Sequence, residues 1–166
     1  MMANPFFDWL MPLFDKPKDW IIFVVVFWIY AAYRDPKHRK MLLILVPLTI
    51  LFCDQLGGFI KDFEFKNRPW FELGVENVRH LGGMGGKHSS FPSNHAANIS
   101  GIAFLFSFIY PHNRPYFWIF AILIMFSRVY IGVHFPFDVF AGFMLGTIIS
   151  CSLIIIYKKV TSDETL

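Results

Sequence analysis

Long apolar stretches limit this chain more than any other feature. Phe135–Tyr157 is 23 residues long, Met41–Ile60 is 20 and Tyr116–Val133 is 18. A helix needs about 20 residues, at 1.5 Å each, to cross about 30 Å of hydrocarbon. Ala96–Tyr110 adds fifteen residues and extends backward through the polar positions before it. Trp20–Tyr33 adds fourteen, lengthened if Asp19 and Arg34 snorkel. The pattern predicts an all-α, polytopic membrane helix bundle of about five transmembrane helices.

Composition agrees with that prediction. Charged residues make up 16% of the chain, against roughly a quarter in soluble domains. A soluble bundle of buried helices is the alternative, but it leaves too much apolar surface without a partner. No segment alternates with period two, which argues against a membrane β-barrel. The 166 residues suit one domain, residues 1–166. Within it, 1–19 is an N-terminal segment and 61–95 an extramembrane loop.

The N-terminal segment lacks the basic start and small-residue cleavage site of a signal peptide. Phe6, Phe7, Leu10, Met11, Leu13 and Phe14 recur at roughly helical spacing, with Asp8 and Asp15 between them. That spacing suits a short interfacial helix or a frayed apolar terminus. Cys53 and Cys151 lie within spans and read as small packing residues, neither disulfide nor metal ligands. The net charge of +3 is thinly spread and gives no nucleic-acid footprint.

Five spans place loop 34–40, the loop around Arg114 and the tail with Lys158 and Lys159 on one side. Basic residues in such short loops favour the cytoplasm. The N-terminus, loop 61–95 and the turn at His134 then face outward. Three polar clusters share that outer side: KDFEFKNRP (61–69), FPSNHAAN (91–98) and SRVYIGVHFPFD (127–138).

Lys61, Arg68 and Arg128 are three cations with too few acids to neutralise them, so they call for an external anion. Arginine forks match phosphate oxygens, and lysine adds a point charge. Ser93 suits the N-cap of a helix whose first turn carries Asn94 and His95, and a helix start is itself an anion site. Pro136 fits the first turn of the last helix, with His134 just before it and Asp138 four residues beyond His134. Asp138 would orient one imidazole nitrogen while the other attacks phosphorus to form a phospho-histidine. His95 would protonate the leaving oxygen and then activate water. This chemistry needs no metal or other cofactor.

Lys61-x6-Arg68-Pro69, Pro92-Ser93-Asn94-His95 and Ser127-Arg128-x5-His134-x3-Asp138 together resemble the three-part signature of the type 2 phosphatidic acid phosphatase superfamily. The resemblance implies that His134 is the nucleophile, Asp138 its orienting partner and His95 the acid/base. It implies that Lys61, Arg68, Ser93 and Arg128 hold the phosphate. The family commonly has glycine where this chain has Asn94, so the contact expected at position 94 is either backbone or side chain to substrate.

GGMGGKHSS (82–90) tempts a phosphate-loop reading, but Leu81 and His88 stand where glycine and Ser or Thr are required. It reads instead as a loop over the site, with Lys87, His80 or His88 available to a lipid headgroup. Asp54 has two candidate partners, Lys61 and Asn98.

Compact bacterial members of the family act on undecaprenyl diphosphate, phosphatidylglycerophosphate or the 1-phosphate of lipid A. The resemblance therefore implies a lipid phosphatase of the bacterial inner membrane, its site facing the periplasm. An outward site favours undecaprenyl diphosphate or lipid A. The fold also occurs in vanadium haloperoxidases, which are soluble. A lipid or anion transporter would need the cations but neither His95 nor the His134–Asp138 pair.

Overall fold

The computed structural model describes residues 4–15, 21–63, 66–83, 86 and 88–161. Of the segment 1–19, residues 1–3 and 16–19 lie outside this set, as does Lys87 in the loop 82–90. Among the described residues the regular structure is helical, with one isolated bridge between Lys66 and Ser89. The helices are α1 (Pro5–Leu10), α2 (Ile21–Arg34), α3 (Arg39–Lys61), α4 (Pro69–Glu72), α5 (Asn94–Ile109), α6 (Arg114–Tyr130) and α7 (Pro136–Thr161). Short 3₁₀ turns extend α1 over Met11–Phe14 and precede α6 over Pro111–Asn113.

Helix ends follow local chemistry. The Asn4 side chain caps α1 by accepting from the Phe6 N–H at 2.9 Å. Ser93 caps α5, its hydroxyl accepting from the Ala96 N–H at 3.4 Å. Arg68 and Pro69 start α4, and Pro136 starts α7, where the fixed proline φ suits a first turn. The chain leaves α6 through Gly132 at φ 75°, a conformation costly for other residues. A side chain at Gly132 would also strike the Arg79 carbonyl.

Two helices, α3 and α7, combine the length and hydropathy of a membrane crossing. α2, α5 and α6 are shorter, at 14, 16 and 17 residues. Large apolar side chains face outward from α2, α6 and α7, among them Phe23, Val26, Ile119, Ile122, Phe140 and Ile148. A soluble bundle would hide them, and a lipid medium suits this surface.

The bundle is built around α5, which packs on α3, α6 and α7. At one end, Met41, Leu42, Leu45, Val46, Leu105, Phe106 and Ile154 form the main apolar core. Cys53 packs nearer the other end with Ala97 and Ile149. Small residues let α5 and α7 approach closely, as in membrane helix pairs. A Cβ at Gly142 would collide with the Ser93 carbonyl, and one at Gly146 with the Ala97 carbonyl. Gly146→Val should therefore force the helices apart and cost about 1–3 kcal/mol or more. Thermal unfolding in detergent would register the loss as a clear fall in Tm.

Candidate functional site

The three polar clusters meet at one end of this bundle. Lys61, the last residue of α3, donates to Asn94 Oδ1 at 2.6 Å across the start of α5. Asn94 Nδ2 lies 3.4 Å from Asp54 Oδ1, and Asn98 Nδ2 donates to the same oxygen at 2.9 Å. Asp54 thus pairs with Asn98 and meets Lys61 only through Asn94. The Asn94 side chain is thus engaged in positioning Lys61, which leaves its backbone N–H at the start of α5 for the expected phosphate contact. Gly57 makes room for it, since a Cβ there would sit 2.5 Å from Asn94 Oδ1.

Arg68, just before α4, reaches across the site. Its Nη1 donates to the Val133 carbonyl at 3.3 Å and its Nε to the Gly86 carbonyl at 2.9 Å. The α6–α7 turn is thereby tied to loop 66–90. His134 in that turn is 4% exposed, and its N–H donates to the Arg128 carbonyl at 3.3 Å. Arg128 is itself buried near the end of α6.

The His134–Asp138 pair is looser than the sequence suggested. His134 Nδ1 stands 3.9 Å from Asp138 Oδ2, beyond hydrogen-bond range. The fully buried Asp138 instead accepts from Lys66 Nζ at 2.7 Å, Ser90 Oγ at 2.6 Å and the Phe135 N–H at 2.9 Å. Those three donors occupy the carboxylate, which acts on His134 as a charge across a gap. Burial pulls the His134 pKa down to about 4, with Arg68, Arg128 and Lys61 adding to the shift and Asp138 opposing it. The imidazole is therefore neutral at physiological pH.

Sequence reasoning missed Lys66, Ser90 and Asp15. Lys66 is two residues before Arg68, and its signal was available: a buried Asp138 requires a cation or several donors. Asp15 accepts from Arg128 Nη2 at 2.5 Å and from the Gly83 N–H at 2.6 Å. Burial would raise the Asp15 pKa, but the Gly83 N–H and Arg128 outweigh it and hold the carboxyl below its ordinary value. His88 Nδ1 donates to Asn67 Oδ1 at 2.6 Å, and His80 is packed on Trp70.

Among the buried polar atoms around this cluster, His95 Nε2, Arg128 Nε, His134 Nδ1 and Asn98 Oδ1 have no hydrogen-bond partner. Beside them opens an apolar cavity of about 620 Å³ between α2, α3, α5 and α6. Trp28, Pro47, Ile50, Phe117 and Phe120 line its length, and Asn94 and His95 close its polar end. An oily channel ending at His95, with the Arg128 Nε unpaired nearby, suits an anion carried on a hydrocarbon chain.

Residues 42–162 match the family described as the PAP2 superfamily. The chain belongs to this superfamily. It is 30% identical over 154 residues to a protein named lipid A 4'-phosphatase from Porphyromonas gingivalis, covering 89% of this chain and 65% of that one. It thus spans just under two thirds of that relative's length. Over 65 residues it is 43% identical to an undecaprenyl-diphosphatase of Sulfolobus acidocaldarius, covering 37% of this chain and 30% of the relative. Its fold is similar to the crystal structure of Aquifex aeolicus LpxE, with a TM-score of 0.74 and 26% identity. That likeness covers 93% of this chain and 88% of the other.

Proposed function

We propose that this PAP2 protein hydrolyses a phosphate carried by a membrane lipid, through a phospho-histidine on His134. One observation carries the reading: Lys61, Arg68 and Arg128 act electrostatically on His134, and Lys61 and Arg128 on His95, whose ring lines the polar end of the apolar cavity, with His95 Nε2 and Arg128 Nε unpaired. A bound phosphate would satisfy those donors, and the cavity would take part of the lipid's hydrocarbon.

In the first step His134 Nε2 attacks phosphorus, and the bond from phosphorus to the lipid oxygen breaks. His95 donates a proton to that oxygen. Lys61, Arg68 and Arg128, with the amides of the first α5 turn behind the Ser93 cap, stabilise the charge on the equatorial oxygens. In the second step His95 takes a proton from water, the water oxygen attacks phosphorus, and the phosphorus–nitrogen bond breaks. Inorganic phosphate leaves and His134 is restored. The fixed cations supply the charge that a metal would otherwise bring.

The topology we infer is a single membrane domain with α2, α3, α5, α6 and α7 as five crossings. The shorter three suit locally thinned bilayer and snorkelling ends. Basic loop 34–40 would face the cytoplasm, and the N-terminal segment and loop 61–95 the periplasm of a bacterial inner membrane. Undecaprenyl diphosphate and the phosphates of lipid A present their phosphates on that side, and the named relatives favour them over phosphatidylglycerophosphate.

The test is phosphate release by detergent-purified protein in EDTA. The substrates are undecaprenyl diphosphate, lipid A, phosphatidylglycerophosphate and phosphatidic acid. Release that orthovanadate inhibits, with one of the first two fastest, is the expected result. Folded protein that releases nothing from any of them would overturn the reading in favour of transport or binding.

A further inference from the structure

The matched family region begins at residue 42, so residues 4–15 lie outside it. This segment is nevertheless built into the site. Met11 is fully buried against Ile131 and Val133 in the turn that carries His134. The Phe7 ring meets Tyr130 edge-on at 5.9 Å, and Phe14 meets Phe120 at 6.4 Å. Asp8 pairs with Arg79 and accepts from the Tyr130 hydroxyl at 2.7 Å. Those contacts fix the path of the chain as it reaches Arg128.

There the segment takes hold of the guanidinium. Arg128 Nη1 donates to the Phe14 carbonyl at 3.2 Å, and Nη2 donates to Asp15 Oδ1 at 2.5 Å. The other Asp15 oxygen accepts from Gly83, in the loop over the site. Arg128 Nε, on a side chain 3% exposed, has no partner. A planar guanidinium held at both terminal nitrogens cannot rotate, so the direction of its remaining N–H is set by what holds it. An unpaired buried N–H is costly unless a ligand meets it.

We propose that Asp15 is a positioning residue for Arg128: with the Phe14 carbonyl it holds the terminal nitrogens and keeps the Nε edge turned to the phosphate. The inference rests on the phosphatase reading above. A carboxylate so close to a cation meant for phosphate has an opposite possible effect, which is competition for the arginine. The Phe14 and Asp15 contacts at the terminal nitrogens, with Nε left open, favour positioning.

The experiment compares wild type with Asp15→Ala, Asp15→Asn, Asp15→Glu and Asp8→Asn, using the lipid phosphate that wild type cleaves. It reads kcat, KM, the orthovanadate inhibition constant and Tm in detergent. Misplacing a group that contacts the reacting phosphate costs up to about 100-fold. Asp15→Ala should lower kcat/KM by about 10- to 100-fold and weaken vanadate inhibition in step, with Asp15→Glu recovering part of both. Asp8→Asn removes another anchor of the same segment, so it should lower Tm without moving the vanadate constant. Unchanged or faster turnover in Asp15→Ala would overturn positioning, and faster turnover with tighter vanadate would show competition. Loss of Tm with an unmoved vanadate constant would also overturn it, leaving Asp15 a purely structural anchor. If wild type releases no phosphate, the phosphatase reading fails first, and vanadate binding by intrinsic tryptophan fluorescence still compares wild type with Asp15→Ala.

Discussion

Replacing His134 by alanine is expected to lower kcat/KM for phosphate release by about 10⁴-fold, or roughly 5 kcal/mol of transition-state stabilisation. No nearby group takes over the role. His95 is the imidazole that acts electrostatically with His134, and the mechanism already uses it for proton transfer. The change removes a small buried volume and no hydrogen bond from the ring, so Tm should move little. Purified variant at wild-type Tm with turnover at background is the outcome that supports the nucleophile. Turnover within tenfold of wild type would remove His134 from that role.

The same residue sets a pH dependence. Its pKa is lowered to about 4, chiefly by burial. The protonated ring cannot attack, so activity limited by His134 persists as pH falls below 6.5 and is lost as it passes through about 4. A profile of kcat/KM reports the free enzyme and checks this directly. An acid limb at 6.5 would mean a hydrated, ordinary imidazole.

Asp138→Asn is expected to be the most damaging conservative change for stability and turnover together. Its fully buried carboxylate receives Lys66, Ser90 and the Phe135 N–H. Lys66 is 28% exposed, so the loss should fall below the about 3–5 kcal/mol of a fully buried pair, because water partly compensates the lysine left behind. Loss of the negative charge facing His134 should also lower kcat by about 10²- to 10⁴-fold. The pairing can be isolated with Lys66→Met. The double variant Lys66→Met/Asp138→Asn should recover part of the Tm lost in each single variant, and none of the activity. If Tm losses simply add, the ion pair is not the source of the stability.

Helices and their approximate limits were legible because apolar runs, proline and serine act locally. Tyr116–Val133 became Arg114–Tyr130 once Gly132 turned the chain. Ala96–Tyr110 became Asn94–Ile109 behind the Ser93 cap. Three motifs on one side of the bundle were also visible, since helix parity carries that information. What stayed hidden depends on the path of loops. Nothing in local spacing says that Lys66, and not His134, bonds Asp138, or that Asp15 crosses more than a hundred positions to Arg128. Asn94 was noticed as unusual, yet its use on Lys61 required the gap over Gly57.

The close seating of Gly142 and Gly146 against the α5 backbone divides the bundle mechanically. His95 rides on α5 and Asp138 on α7, and the Ser93 N–H donates to the Asp138 carbonyl at 3.0 Å where the two helices begin. These elements behave as one stiff jaw. By contrast, α2 is attached chiefly through α3, and its inner face forms a wall of the cavity. On the proposed function, a bulky tail would enter by a swing of that wall while the proposed reacting groups keep their spacing. Exchange of cargo and accuracy of chemistry would then fall to different helices.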